Sequence, residues 1–173
     1  RKSQELTKSQ KQLLYLLPQD FLAGGTDAVA VRLRDPAQRD ILRERIAHGR
    51  DFDNIAQMVG WDNIRLTTLH RPEFRPLTGK TLAEAAELLG MEPVDCLCHV
   101  LAEEACNVTM IDFITCDEDI GRILRAPFAS VISDALYPTE GLPHPRVYGT
   151  FTRILETFVR ERHVLTLPEA VQR

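Results

Sequence analysis

Short apolar runs alternate with amphipathic runs through the second half of this chain, and that alternation limits the fold more than any other feature. Val108 to Phe113 reads as a strand, followed by a helix from Thr115 to about Leu124. Ala129 to Ile132 reads as a second short strand, and Phe151, Ile154, Leu155 and Phe158 set the spacing of a further helix. Strand, helix, strand, helix is the rhythm of a parallel sheet with crossover helices. The expectation is therefore an α/β fold, rich in helix.

The punctuation elsewhere agrees with short elements. Pro18 stops a helix that is Leu-rich at Leu13, Leu14, Leu16 and Leu17, and Gly24-Gly25 marks a turn. Two short helices split at Asp35-Pro36, and Gly49 ends the second. Asn54–Val59 reads as one more helical turn and Asn63–Thr68 as a strand with Ile64 and Leu66 on one face. His70–Thr78, with Pro72 and Pro76, is a loop. Thr81 and Glu84 form a capping box before Leu82, Ala85, Ala86 and Leu89. Pro93 opens the next helix, Thr115 to Glu118 reads as a second capping box, and Thr166 to Glu169 starts a last helix.

Composition narrows the class. The 173 residues, 44% apolar and 27% charged, suffice for one domain with its own core. A formal charge of -4 argues against nucleic acid as a partner. No apolar run approaches the ~20 residues of a membrane helix, so a membrane partner is not expected either. The start, Arg1 to Lys11, is polar and unlike a signal peptide, and an internal start with an abrupt end suggests an excised piece. Cys96, Cys98, Cys106 and Cys116 lack the spacing of a zinc or CxxC site and suit a reducing, cytoplasmic compartment. Gly79-Lys80-Thr81 lacks the earlier glycine of a phosphate loop, since position 74 is Phe74, so nucleotide binding is rejected. Trp61 and Phe74 suit a substrate-facing lid and internal packing equally well.

The residues that suggest chemistry lie around a long loop from Ser133 to Pro145. Asp134 follows the apolar run at Val131-Ile132, and the ends of parallel strands are where α/β folds place catalytic groups. A carboxylate there can hold a metal or move a proton, although position alone favours an ordinary loop aspartate. Arg146 offers a fork that can grip a carboxylate through two parallel hydrogen bonds, and Tyr148 adds a hydroxyl. Among the histidines, His48 and His163 sit near helix ends and His99 on a helix flank. His70 is the remaining candidate ligand, with no partner at ligand spacing.

Ile132-Ser133-Asp134, His144-Pro145-Arg146, Tyr148-Gly149-Thr150-Phe151, Val159-Arg160-Glu161 and Leu167-Pro168-Glu169-Ala170-Val171 resemble the C-terminal barrel region of N-acyl-D-amino-acid deacylases. These are D-aminoacylases of the amidohydrolase superfamily. Leu16-Leu17-Pro18, Gly24-Gly25, Arg32 to Pro36 and Gly79 to Leu82 fit the same family's preceding segment in order. The resemblance implies the C-terminal part of a metal-dependent-hydrolase (β/α)8 barrel with a helical insertion. Residues 1–60 would form the insertion or lid and 61–173 the last barrel strands and helices. It implies a zinc cofactor and a small-molecule N-acyl-D-amino acid substrate.

Asp134 matches the family's aspartate at the metal, which shuttles the proton from water to the leaving amine. Arg146 matches the arginine beside the substrate's α-carboxylate, and Tyr148 is assigned to substrate binding with it. The sequence departs from the family at Ala135, where glycine is usual, and at Thr152, where proline is usual. It also lacks a His-x-His pair. Cys96 and Cys98, read on a helix, do not take the family's bridging-cysteine role. The expectation is an enzyme segment that is inactive as an isolated piece. The rival is a non-catalytic helical interaction module derived from a hydrolase, with exposed edges that favour self-association. A cyclic amide substrate fits the His-Pro-Arg loop less well.

Overall fold

A computed structural model of the chain describes residues 13–135, 137 and 140–173. The polar start at residues 1–12 lies outside the described residues, as do Leu136, Pro138 and Thr139 within the long loop. The fold is helix-rich α/β, and it divides into two compact units. The first runs to Ile114 and also includes Glu140–Leu142; the second comprises 115–139 and 143–173.

In the first unit, α1 (Gly25–Arg34) begins after Gly24, whose φ of 90° needs glycine. Asp35 then caps α2 (Pro36–His48), accepting a bond from Ala37 N at 2.9 Å, with Pro36 at the first helical position. Asn54 starts α3 (Ile55–Val59) by accepting from Gln57 N, and its amide donates to the Ile46 carbonyl at 2.7 Å. That second bond satisfies a side chain that is otherwise buried.

β1 (Ile64–Thr68) pairs with β2 (Thr109–Asp112). Between them lie α4 (Leu82–Leu89) and α5 (Pro93–Glu103). The capping box of α4 forms as the sequence predicts: Glu84 N donates to Thr81 Oγ1 at 3.2 Å, and Thr81 N donates to Glu84 Oε2 at 2.8 Å. α5 carries Leu97, Val100 and Leu101 into a core with Ile64, Leu66 and Val108, all fully buried. Burying a leucine of this kind contributes about 1.5–3 kcal/mol.

The parallel arrangement expected from the alternating pattern does not form among the described residues. The sheet there is two-stranded and antiparallel, with Leu66 opposite Met110 and an irregularity between Leu66 and Thr68. In the second unit, Ala129–Ile132, the expected partner strand, forms no strand among the described residues. Its backbone bonds join Ala129 N to the Ala126 carbonyl and Val131 N to the Arg173 carbonyl. Ala129, Val131 and Ile132, three apolar residues around Ser130, have no neighbouring strand with which to complete a ladder.

The second unit contains α6 (Asp117–Arg125), α7 (Arg146–Arg153) and α8 (Leu167–Gln172). The helix of α7 continues with wider, π-type turns over Ile154–Glu161. The capping box expected at Thr115–Glu118 is absent. α6 starts one residue later, after Cys116, whose thiol lies 3.4 Å from Asp119 Oδ2. Asp117 instead takes Arg153 at 2.6 Å and Arg162 at 3.0 Å, and Glu118 takes Arg162 at 3.1 Å. The last helix starts after Thr166 as expected, and Thr166 and Glu169 form a capping box there. Leu124, Phe158 and Leu165 make this unit's buried cluster.

Candidate functional site

Asp134 sits in a tight turn and not at a strand end. Its φ is 46°, a left-handed conformation that aspartate tolerates better than most side chains. Ser133 Oγ accepts the Ala135 N–H at 3.3 Å across the turn. Its carboxylate is open to solvent, 72% exposed.

Arg146 opens α7, immediately after Pro145. Its backbone N–H donates to His144 Nδ1 at 3.0 Å, and its carbonyl accepts from Thr150 Oγ1. The structure brings Arg146 and Asp134 together: Nη1 lies 3.3 Å from Asp134 Oδ2. Arg146 Nε is buried and has no hydrogen-bond partner among the described residues. The guanidinium is thus half sheltered, keeping donor capacity beyond its bond to Asp134. An ion pair this exposed is worth ~0–1 kcal/mol, so it contributes little to stability.

Tyr148 lies one helical step further, exposed, with its ring edge-on to Tyr137 at 6.5 Å between centroids. Gly149 donates its N–H to the Pro145 carbonyl, which keeps this first turn helical.

The described residues do not fit a zinc ion by themselves. No three histidine, cysteine or acidic side chains among them converge as a ligand set. Cys96, Cys98 and Cys106 are buried, and burial pushes their thiols up to about 11, about 12 and about 11. They stay protonated at neutral pH and act as small apolar side chains. Cys116 is exposed and lies by Asp119.

His70 is held at both ring nitrogens, by Glu140 at 3.2 Å and Asn107 at 2.9 Å. Sequence reasoning left His70 without a partner because Glu140 is 70 positions away. Phe74 is buried, with its ring edge-on to His99, and Trp61 packs against the core. Of lid and packing, Phe74 therefore serves packing.

Three curated proteins of Alcaligenes xylosoxydans xylosoxydans are similar to this chain. An N-acyl-D-glutamate deacylase is 37% identical over 111 residues, which is 64% of this chain and 21% of that protein. An N-acyl-D-aspartate deacylase is 34% identical over 56% of this chain and 18% of its own length. A D-aminoacylase is 33% identical over 57% of this chain and 19% of its own length. A crystal structure of N-acyl-D-glutamate deacylase from Bordetella bronchiseptica superposes with a TM-score of 0.54 at 32% identity. That match covers 68% of this chain and 23% of the other.

The chain is a homologue of the N-acyl-D-amino-acid deacylases. It spans about a fifth of the length of these deacylases. No family model matches it. The Bordetella deacylase was crystallised with zinc and a phosphonate that mimics the tetrahedral intermediate of its reaction. Among the described residues of this homologue, no helix is long and apolar enough to cross a membrane.

Proposed function

We propose that this chain is the C-terminal-side segment of a zinc-dependent (β/α)8-barrel deacylase that cleaves the amide of N-acyl-D-amino acids. In this reading residues 1–60 are a helical insertion and 61–173 contribute to the barrel. The observation that carries the proposal is the 37% identity to an N-acyl-D-glutamate deacylase. The pairing of Asp134 with Arg146 supports it, because it sets a carboxylate on the guanidinium assigned to the substrate's carboxylate.

The two residues divide the work. Arg146 takes the α-carboxylate of the substrate through its fork, replacing Asp134 as the anion it binds. Asp134, released, accepts a proton from the attacking water. The water oxygen bonds to the acyl carbon, the C–N bond breaks, and Asp134 returns the proton to the amine nitrogen. The products are a carboxylate and a D-amino acid. Tyr148, exposed on the same helix, is the second substrate contact in this reading. Zinc belongs to the complete barrel in this proposal; the described donor set does not hold it, and the isolated chain is inactive. The free cysteines accord with a cytoplasmic setting.

The rival interaction-module reading draws on exposed apolar side chains in the second unit, including Phe128, Ile132 and Val171. One experiment separates the two. This chain is put in place of the corresponding stretch of the Alcaligenes N-acyl-D-glutamate deacylase, and turnover of N-acetyl-D-glutamate is measured with zinc. The deacylase reading expects turnover of the D-enantiomer by the chimera and none by the isolated chain. A folded, zinc-loaded chimera without turnover contradicts it, and self-association of the isolated chain would then favour the module.

A further inference from the structure

The connector from α2 to α3 runs through Asp51-Phe52-Asp53 and is held at both ends. Gly49 donates its N–H to the Arg45 carbonyl at 2.6 Å, and the buried Asn54 amide donates to the Ile46 carbonyl at 2.7 Å. The Asp53 carbonyl accepts the Ile55 N–H at 2.9 Å, which turns the chain into α3. Phe52 packs against the core of the first unit, whereas Asp51 and Asp53 on either side of it are exposed. The short turn at Leu13–Leu16 buries its three leucines and leaves Tyr15 exposed between them.

These two segments of the first unit border one cleft of about 440 Å³. Tyr15, Leu17, Phe52 and Ile55 supply its apolar lining, and Asp51 and Asp53 supply its carboxylates. The volume suits a small molecule, since such sites span ~300–1,000 Å³. Among the described residues, no lysine, arginine or histidine lines the cleft.

The charge around it is unbalanced. Arg45, which does not line the cleft, pairs with Asp51 at 2.6 Å and with Asp20 at 2.7 Å, so one guanidinium serves two carboxylates. The Asp53 carboxylate has neither a hydrogen bond nor an ion pair among the described residues. Arg45 also shows what this wall can hold. Its guanidinium carbon lies 5.8 Å from the centre of the Phe52 ring while its nitrogen pairs with Asp51. A carboxylate next to an aromatic ring is a set that attracts a cation, through its charge and through the ring face. Asp53 and Tyr15 bring the same combination to the cleft, with no cation of the chain to fill it among the described residues.

We infer that this cleft is a binding site for a small organic cation with an apolar stem, of the alkylguanidinium or alkylammonium class. The head group pairs with Asp53 and meets the Tyr15 ring, and the stem covers Leu17 and Ile55. Asp134 and Arg146 take no part in it. The ligand carries the opposite charge to an N-acyl-D-amino acid, and its binding is independent of the deacylase reading.

The test uses the 173-residue chain with butylguanidinium as the probe, read by the backbone amide shifts of Asp53 and Ile55 in heteronuclear NMR. The shifts should saturate with a Kd on the order of 1 mM. Butylurea, of the same shape and without charge, should bind about tenfold more weakly. Asp53→Asn should weaken butylguanidinium about threefold to fivefold, the weight of an exposed ion pair. Tyr15→Leu should weaken it about twofold to fivefold, the weight of an exposed cation–ring contact. Both substituted side chains are exposed, and the amides of Leu66 and Met110 report that the first unit stays folded. Shifts that do not saturate overturn the site. So does butylurea binding as tightly as butylguanidinium, or an undiminished affinity for butylguanidinium in either variant.

Discussion

At the residue scale, Arg146 and Asp134 invite different substitutions. A guanidinium offers two parallel donors to a carboxylate, and an ammonium offers a point charge. Arg146→Lys in the active chimera should therefore raise KM for N-acetyl-D-glutamate by about tenfold to a hundredfold, the weight of a charge-assisted hydrogen bond at about 1.5–3 kcal/mol. Steady-state kinetics at fixed zinc check this, and an unchanged KM would remove Arg146 from the carboxylate site. The pair itself was only half legible in the sequence. Arg146 and Asp134 were each singled out through the Ser133–Phe151 motif, but nothing in the spacing foretold that the two would touch at 3.3 Å. Nor did any local pattern signal the link between His70 and Glu140, because it depends on how distant segments meet.

At the scale of single elements, the capping box of α4 is testable. Removing the Thr81 side chain leaves helix N–H groups unsatisfied and should cost about 1 kcal/mol in thermal or denaturant unfolding. Thr81→Ser should restore most of the loss, and a Thr81→Ala variant with wild-type stability would contradict the role of the box. A pH signature accompanies it. The backbone N–H of Thr81 holds the Glu84 carboxyl below its ordinary value of 4.5. Its stabilising contribution is present above about pH 4.5 and is lost as the pH falls through the lower folded value. Glu84→Gln should flatten that part of the stability profile.

The elements that were legible share a cause. The box at Thr81, the helix start at Thr166, the Asp35-Pro36 start of α2 and the Ile64/Leu66 face are specified within a few residues of themselves. The failures depend on partners far away. Ala129–Ile132 has strand-like residues and no strand beside it among the described residues, and Glu118 is drawn to Arg162 instead of completing a box with Thr115. Direction of pairing was likewise hidden, since β1 and β2 carry the same apolar pattern whether they run parallel or antiparallel.

At the scale of the whole molecule, the two units differ in how much apolar surface they bury. The first has a continuous core from Leu13 to Met110, whereas the buried cluster of the second is Leu124, Phe158 and Leu165. A unit of about 55 residues with so small a cluster lies near the lower limit for folding alone. Phe158 is nearly inaccessible at 1% exposure, and Phe158→Ala should cost about 3–5 kcal/mol. Hydrogen exchange should then show amides of α6 and α7 losing protection while those of α5 keep theirs. Equal losses in both units would show that they unfold as one. The second unit also exposes large apolar side chains, Phe128, Ile132 and Val171 among them.

The central claim is that Asp134 moves the proton in amide cleavage. Asp134→Asn is the sharpest probe, because asparagine accepts the positive φ of this position and preserves the shape of the side chain while losing its basicity. The measurement is kcat for N-acetyl-D-glutamate in the zinc-loaded chimera, with folding and metal content matched between variants. A proton shuttle predicts a fall of about 10²–10⁴-fold. A kcat within about twofold of the parent chimera would contradict it and leave Asp134 as a loop residue paired with Arg146.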